Sequence, residues 1–350
     1  MAHKLFTSDE LSTFTIKVLE KVGVNAENAS LVADTLIQAE LRGVESHGVV
    51  RLPLYVKRIL QGGTKANPCL KKVAEGPATA IIDGDSGMGQ IASYHAIKLA
   101  MDKARRNGIG AVGVRNSSHF GTAAYYTMVA LKEDMIGIAL TNSPTVIAPT
   151  GGITPLLGNN PWSIAVPAGK YLPIVVDFAI SVVARGKIRL AALKNEKIPY
   201  GWANDSAGNP TQDPLEALKG AMMPIGGHKG YGMALAIDLL AGVLTGSSFG
   251  PWVKNQEDVS SPQNVGHFFV AIDIDKFMPV EDFKNRVDAL IERIKSSRLA
   301  TGCEKIYIPG ELEYLCQKER SRKGIPVSQE SQQKLSILGK EVGVPFPALS

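Results

Sequence analysis

Asp83–Ala92 reads DGDSGMGQIA, and the fold turns on how it is interpreted. Upstream, Ala78–Asp83 (ATAIID) is a short apolar run of strand type; downstream, Ile91–Arg105 has the spacing of an amphipathic helix. Between them stands Gly87-x-Gly89-x-x-Ala92, where a dinucleotide fingerprint belongs. Its glycines would let a pyrophosphate approach a helix N-terminus. Such a fingerprint calls for a carboxylate about 20 residues further on, for the ribose hydroxyls. The next strand, Ala111–Arg115 (AVGVR), ends instead in Arg115-Asn116, and an arginine there suits a 2′-phosphate. A tight strand-to-helix turn accounts for the same residues without any ligand.

Working outward, strands and helices keep alternating. Thr122–Leu131 reads as a helix, Ile136–Thr141 (IGIALT), Ser163–Val166 and Ile174–Asp177 as strands, and Gly266–Ile274 (GHFFVAIDI) as a buried strand. Glu281–Ser296 has the pattern of a surface helix, and Gly230–Thr245 of a strongly apolar one. Pro144–Pro161 is a Gly/Pro-rich irregular zone, functional or unstructured. Towards the N-terminus, Leu11, Phe14, Val18 and Val22 repeat at helical spacing after a start signal at Ser8–Leu11, and Asn25–Leu41 is a second helix ending at Gly43. The alternation predicts an α/β protein with a largely parallel or mixed sheet.

At 350 residues, 45% hydrophobic and 20% charged, the chain has the composition of a soluble globular protein. A net charge of +5 without a dense Lys/Arg run argues against nucleic acid and fits a small anionic substrate. Cys69, Cys303 and Cys316 form no C-x-x-C pair, which suits a reducing compartment. The N-terminal stretch lacks the apolar core of a signal peptide, and Gly232–Gly246 is too short to span a bilayer and contains Asp238. The expectation is a cytoplasmic protein without a membrane partner. No two of the six histidines stand at i, i+4, no H-E-x-x-H occurs, and no metal site is expected. The absence of a G-x-S-x-G elbow leaves serine hydrolysis unsupported.

Chemistry concentrates in Leu41–Tyr55, LRGVESHGVVRLPLY. His47, Arg51 and Tyr55 recur every fourth residue, so a helix would stack an imidazole, a carboxylate-binding fork and a phenol on one face. An ordinary amphipathic helix with a half-exposed histidine is the alternative. Ser46 could cap a helix, Gly43 could end the preceding one, and Pro53 interrupts the segment unless it lies in the first turn of a second helix. His119, in Ser117–Gly121, stands at a strand's carboxyl end and could be an acid/base, a phosphate contact or a cap of its own helix. Ser143 and Asp177-Phe178-Ala179 occupy similar positions. Gly226–Gly232 (GGHKGYG) joins glycines and Lys229 at a helix start, suited to phosphate or simply a flexible loop. Pro309-Gly310-Glu311 is a turn that could return a carboxylate to the site.

Several motifs together resemble the type 2 malate/L-lactate dehydrogenases, a superfamily that includes sulfolactate and ureidoglycolate dehydrogenases and cyclic imine carboxylate reductases. The resemblance covers nearly the whole chain. It rests on Arg42-Gly43-x-x-Ser46-His47-Gly48-x-x-Arg51-x-x-x-Tyr55, Gly87–Gln90, Arg115–Gly121, Pro149–Gly152, Ala184–Lys187, His228–Gly232 and Pro309–Glu311. It implies a three-layer α/β/α structure with a mixed sheet, binding NAD or NADP in a non-Rossmann manner, with an N-terminal helical region, in a homodimer. Gly87–Ala92 then becomes a structural turn. The implied division is a helical region over 1–75, a scaffold from 76–118 and 300–350, and a cofactor domain over 119–299. The implied acid/base is His47, or His119 in some members, aided by Ser46, with Arg51 and Tyr55 holding the substrate. The cofactor would meet His119, Phe120, Gly121, Thr122, Ala123, Ser143, Asp177, Phe178, Ala179, His228, Lys229, Gly230, Pro309, Gly310 and Glu311. Gly158-Asn159-Asn160-Pro161 departs from the family's Gly-Thr-Asn-Pro, so Asn159 replaces a substrate-contacting threonine. The implied reaction moves a hydride between NAD(P) and a small 2-hydroxy acid of the malate, lactate or sulfolactate type; the alternative is reduction of a cyclic imine carboxylate.

Overall fold

The computed structural model describes residues 4–347. At its centre is a seven-stranded sheet in the order Lys71–Glu75, Thr79–Asp83, Ile109–Ser117, Val265–Asp273, Met135–Thr141, Trp162–Val166 and Ile174–Phe178. Thr79–Asp83 and Ile109–Ser117 are parallel and joined by the crossover helix Gly89–Asn107; every other neighbouring pair in this sheet is antiparallel. The sheet is therefore mixed, and a single parallel crossover does not make a doubly wound dinucleotide domain. It takes strands from both sides of residue 118.

Helices Gly89–Asn107 and Ala123–Leu131 cover one face, where Ala92, Ala96, Ala100 and Met101 meet Val112, Val114, Ala139 and Phe269. Small residues let the long helix lie close, since a side chain on Gly110 would strike the Ala100 carbonyl. Helix His228–Asp238 and the π turn Leu239–Val243 cover the other face, with Ala234 and Ile237 against Leu140. The result is the expected α/β/α layering. The irregular zone after Pro144 carries strands Thr145–Ile147 and Leu157–Gly158, which join Ala203–Asn204 and Ala221–Met222 in a second, four-stranded sheet.

Helix Ser8–Lys21 starts one residue earlier in its capping than the sequence suggested. Thr7 and Glu10 form a reciprocal capping box, while Asn25 caps Ala26–Leu41. The buried stripe Leu11, Phe14, Val18, Val32 and Leu36 meets Leu335 and Leu338 of helix Gln329–Val342, and Lys4–Phe6 pairs antiparallel with Ile325–Val327. Both ends of the chain thus build one helical layer beside the sheet. No described helix is long and apolar enough to cross a membrane.

Candidate active site

Residues 41–55 do not form one helix. After Ala26–Leu41, Gly43 turns left-handed (φ +77°), the anticipated helix stop. Two single-turn 3-10 helices, Glu45–His47 and Val49–Arg51, then meet at an extended Gly48, and helix Leu52–Leu60 carries Pro53 in its first turn. His47, Arg51 and Tyr55 therefore share no helical face, because Gly48 redirects the chain. They converge through the turn instead. Arg51 Nε donates to the Ser46 carbonyl at 2.6 Å, and Ser46 Oγ lies 3.0 Å from His47 Nδ1. The Ser46 hydroxyl serves the imidazole rather than a helix cap. Beneath the turn lies Glu40, which no motif singled out. Only 3% exposed, it accepts the Val49 N–H at 2.9 Å and fills the space where Gly48 has no side chain. Burial pushes its carboxyl up to about 7.

His119 arrives from the end of strand Ile109–Ser117. Its ring stacks on His47, centroids 5.4 Å apart at 26°, and the Tyr55 hydroxyl lies 2.8 Å from its Nδ1. The Gly121 N–H also reaches Nδ1, at 3.3 Å. A backbone N–H can only donate, so Nδ1 is bare, Tyr55 donates to it, and the neutral ring carries its proton on Nε2. Gln263 Oε1 accepts the His119 N–H at 3.1 Å. Phe120 is buried and stacks on the core histidine His267, whose ring nitrogens face Thr141 Oγ1 and Ser117 Oγ. Sequence motifs missed Gln263, because a loop glutamine has no diagnostic spacing.

Burial, then the charge of Arg51, pushes half-buried His47 down to about 4 and His119 well below the ordinary imidazole range. Burial pushes the Tyr55 phenol up to about 12. At neutral pH the site holds two neutral imidazoles, a protonated phenol and a guanidinium. Two arginines here differ in how much of their donor capacity is spent. Arg58 uses all five N–H groups, on Thr64 Oγ1 and the carbonyls of Gly63, Gln256, Asp258 and Ser261. Arg51 uses only Nε on the described residues, leaving its terminal fork for an anion.

Further motifs meet beside this group. Ala124 N–H donates to Asp177 Oδ2 and Val175 N–H to the Pro309 carbonyl, both at 3.0 Å, while Gly310 (φ +90°) lies against Val175. Ser143 Oγ donates to Asn159 Oδ1 at 2.8 Å, and Asn160 bridges the Ser143 N–H to the Ala234 carbonyl. Ile180 N–H reaches the Asn159 carbonyl, and Ile225 N–H the Ile180 carbonyl, both at 2.8 Å. Asp177–Ala179, Pro309–Glu311, Ser143, Asn159 and the loop before His228 are thereby tied into one neighbourhood. Within it, some side chains are already committed. Against a burial penalty, the Lys295 and Lys305 ammoniums, at 2.5 and 2.7 Å, hold the Glu311 carboxyl down at about 2. Phe178 packs edge-on against Trp162.

The Gly226–Gly227 turn suits an anionic cofactor. Both residues are left-handed (φ +60° and +61°), no side chain caps helix His228–Asp238, and Lys229 is exposed beside its first turn. A helix start with no side-chain cap and an ammonium beside it are donors of the kind a diphosphate needs. Gly87–Ala92 does not suit one. A side chain on Gly89 would overlap the carbonyl oxygen of Ser118, and the close approach that glycine permits there is made by the protein's own backbone. Arg115 pairs through its Nε with the Asp83 carboxylate, at 3.0 Å, beside this turn. No metal-binding group of His, Cys, Asp or Glu occurs among the described residues.

The family model for malate/L-lactate dehydrogenase matches residues 6–336. A malate dehydrogenase of Pyrococcus abyssi is 46% identical over 96% of this chain and 94% of its own length. A malate/(S)-sulfolactate dehydrogenase of Methanothermus fervidus is 41% identical over 97% and 98%. The solved sulfolactate dehydrogenase of Methanocaldococcus jannaschii superposes with a TM-score of 0.93 at 40% identity, covering 98% of each chain. With its layered mixed sheet and its Ser-His-Gly turn, this chain belongs to the malate/L-lactate dehydrogenase family and is an oxidoreductase.

Proposed function

We propose that this chain interconverts a small 2-hydroxy acid and its 2-oxo acid, of the malate, lactate or sulfolactate type, with NAD or NADP. The observation that carries this reading is the unspent guanidinium fork of Arg51 set against the two neutral imidazoles of His47 and His119. Arg51 grips the substrate carboxylate in two-point geometry and so orients C2. His47 takes the hydroxyl proton in oxidation and returns it in reduction. The hydrogen bonding supports His47 over His119 for this step. This reading takes the tautomer in which His47 Nδ1–H donates to Ser46 Oγ and Nε2 stays bare, whereas the bare nitrogen of His119 is occupied by Tyr55 and Gly121. His119 then donates from Nε2, holding the C2 oxygen in place, and Asn159 lines the substrate side.

A bound nicotinamide supplies the hydride acceptor or donor. For that cofactor the Gly226–Gly230 turn and Lys229 hold the diphosphate, Asp177 accepts ribose hydroxyls, and the backbone of 119–123, Ser143 and Pro309–Gly310 form the walls. The reading includes a homodimer, for which the exposed Leu239, Val243, Leu244 and Trp252 provide an apolar face; sedimentation of the purified chain checks it.

The decisive assay follows absorbance at 340 nm with oxaloacetate, sulfopyruvate, pyruvate and a cyclic imine carboxylate, using NADH and NADPH in turn. Turnover of a 2-oxo acid is expected, and turnover of the imine alone replaces this reading with the reductase one. Changing His47 to Ala should lower kcat about 10²- to 10⁴-fold. If kcat survives that change and falls instead in His119→Ala, the proton role belongs to His119.

A further inference from the structure

Helix Leu52–Leu60 reaches His119 by two routes. Tyr55 meets the imidazole directly, its hydroxyl 2.8 Å from Nδ1. One turn further on, Arg58 engages a loop instead, residues 255–264, which contains neither helix nor strand. Its guanidinium donates to the Gln256, Asp258 and Ser261 carbonyls, at 3.0, 2.6 and 3.0 Å. Gly63, just beyond the helix, is pressed on the same loop: a Cβ there would lie 2.2 Å from the Val259 carbonyl oxygen. Near the end of the loop stands Gln263, 2% exposed, whose Oε1 accepts the His119 backbone N–H at 3.1 Å.

Arg58 is buried, yet all its acceptors are neutral, and Asp258 turns its carboxylate to the Ser260 and Ser261 hydroxyls instead. Burying a guanidinium away from a carboxylate carries a desolvation cost that an apolar side chain avoids. What the guanidinium adds is a rigid fork, tying three loop carbonyls to Gly63 and Thr64 at once. Glu257 contributes an exposed pair with Arg189, at 3.0 Å, of a kind that holds a loop weakly.

We propose that Arg58 is a positioning residue for His119: it seats the 255–264 loop so that Gln263 fixes the His119 main chain while Tyr55 fixes the ring. This rests on the reading above in which His119 holds the C2 oxygen. Once the main chain is released, Nε2 moves away from that oxygen even with Tyr55 in place.

Arg58→Lys keeps the charge and loses the fork, Gln263→Met removes the acceptor, and Gly63→Ala lifts the loop while leaving Arg58 unaltered. Each should lower kcat about 10- to 100-fold and keep KM for the 2-oxo acid within about 3-fold, because Arg51 still grips the carboxylate. The double variant Arg58→Lys, Gln263→Met should stay within about 3-fold of the slower single, since both act through one contact. A multiplicative fall overturns the proposal. So does a lowered melting temperature with kcat unchanged in Arg58→Lys, the mark of a purely structural arginine. Should Arg58→Lys not fold, Gly63→Ala carries the same test. Hydrogen exchange of the His119 amide needs no turnover; it is followed by NMR with isotope-labelled histidine and assigned through His119→Gln. It should quicken about 10-fold in Arg58→Lys and in Gly63→Ala, and unchanged exchange overturns the proposal. Failure of the wild type to reduce any 2-oxo acid would sink the 2-hydroxy acid reading and leave the exchange result standing.

Discussion

Two glycine turns open helices in this molecule, and they have opposite fates. At Gly87–Gly89 the missing side chain is replaced by the protein itself, the Ser118 and His119 carbonyls lying where a Cβ would be. At Gly226–Gly227 the backbone takes positive φ at both residues, and nothing approaches within 4 Å of the Cβ position of Gly227. Gly48 repeats the closed case, with the Glu40 carboxyl filling its space. Glycine thus serves close approach at Gly89 and Gly48 and a positive φ at Gly226–Gly227, and only the neighbours separate the two uses. The closed turns lie against the protein's own backbone and side chains, and the open one does not.

The sharpest test of this contrast is Gly89→Ala. Overpacking against two carbonyls should cost about 3 kcal/mol in urea unfolding and displace His119, abolishing turnover. A variant as stable as wild type would show that the turn is not closed. Next is Glu40→Gln, which keeps the Val49 acceptor and removes the charge. The folded carboxyl titrates at about 7 against an ordinary 4.5, so wild-type stability falls as pH rises between those values. The glutamine variant escapes this loss and should be more stable by about 2 kcal/mol at pH 8, with no advantage at pH 4. At the open turn, Lys229→Ala should raise KM for reduced cofactor about 10-fold, leaving kcat within about 3-fold and the melting temperature unchanged. Loss of stability there would make it a structural turn like the others. The smallest effect concerns pH. In the oxidation direction kcat/KM should hold well below pH 6.5, because His47 titrates at about 4, and Arg51→Ala should move that acid limb upward by removing the nearby positive charge. A downward shift contradicts the electrostatics assigned to the fork.

Local signals in the sequence were readable where local physics decides the structure. Asn25 caps a helix, Gly43 stops one and Pro53 sits in a first turn because each involves residues within one turn of one another. The strand runs were readable for the same reason, since alternation and apolar content suffice to place them. The fourth-residue spacing of His47, Arg51 and Tyr55 pointed to residues that do lie near one another, but by a wrong geometry. The three meet because Gly48 breaks the helix and Arg51 folds back onto the Ser46 carbonyl. Glu40, Gln263 and Arg58 were silent in the sequence, as was the pairing of the two chain ends, Lys4–Phe6 with Ile325–Val327. None of these has a spacing that marks it.

By itself, the sequence determined the inventory of reactive groups, their order along the chain and the alternation that makes an α/β layer structure, since these depend on residue type and short-range periodicity. Tertiary structure alone decided which arginine keeps an open fork, which glycine turn is filled and which histidine nitrogen is free. Those outcomes depend on contacts such as Tyr55 with His119 and Arg58 with Ser261. Groups so far apart in the chain meet only after the layers have packed.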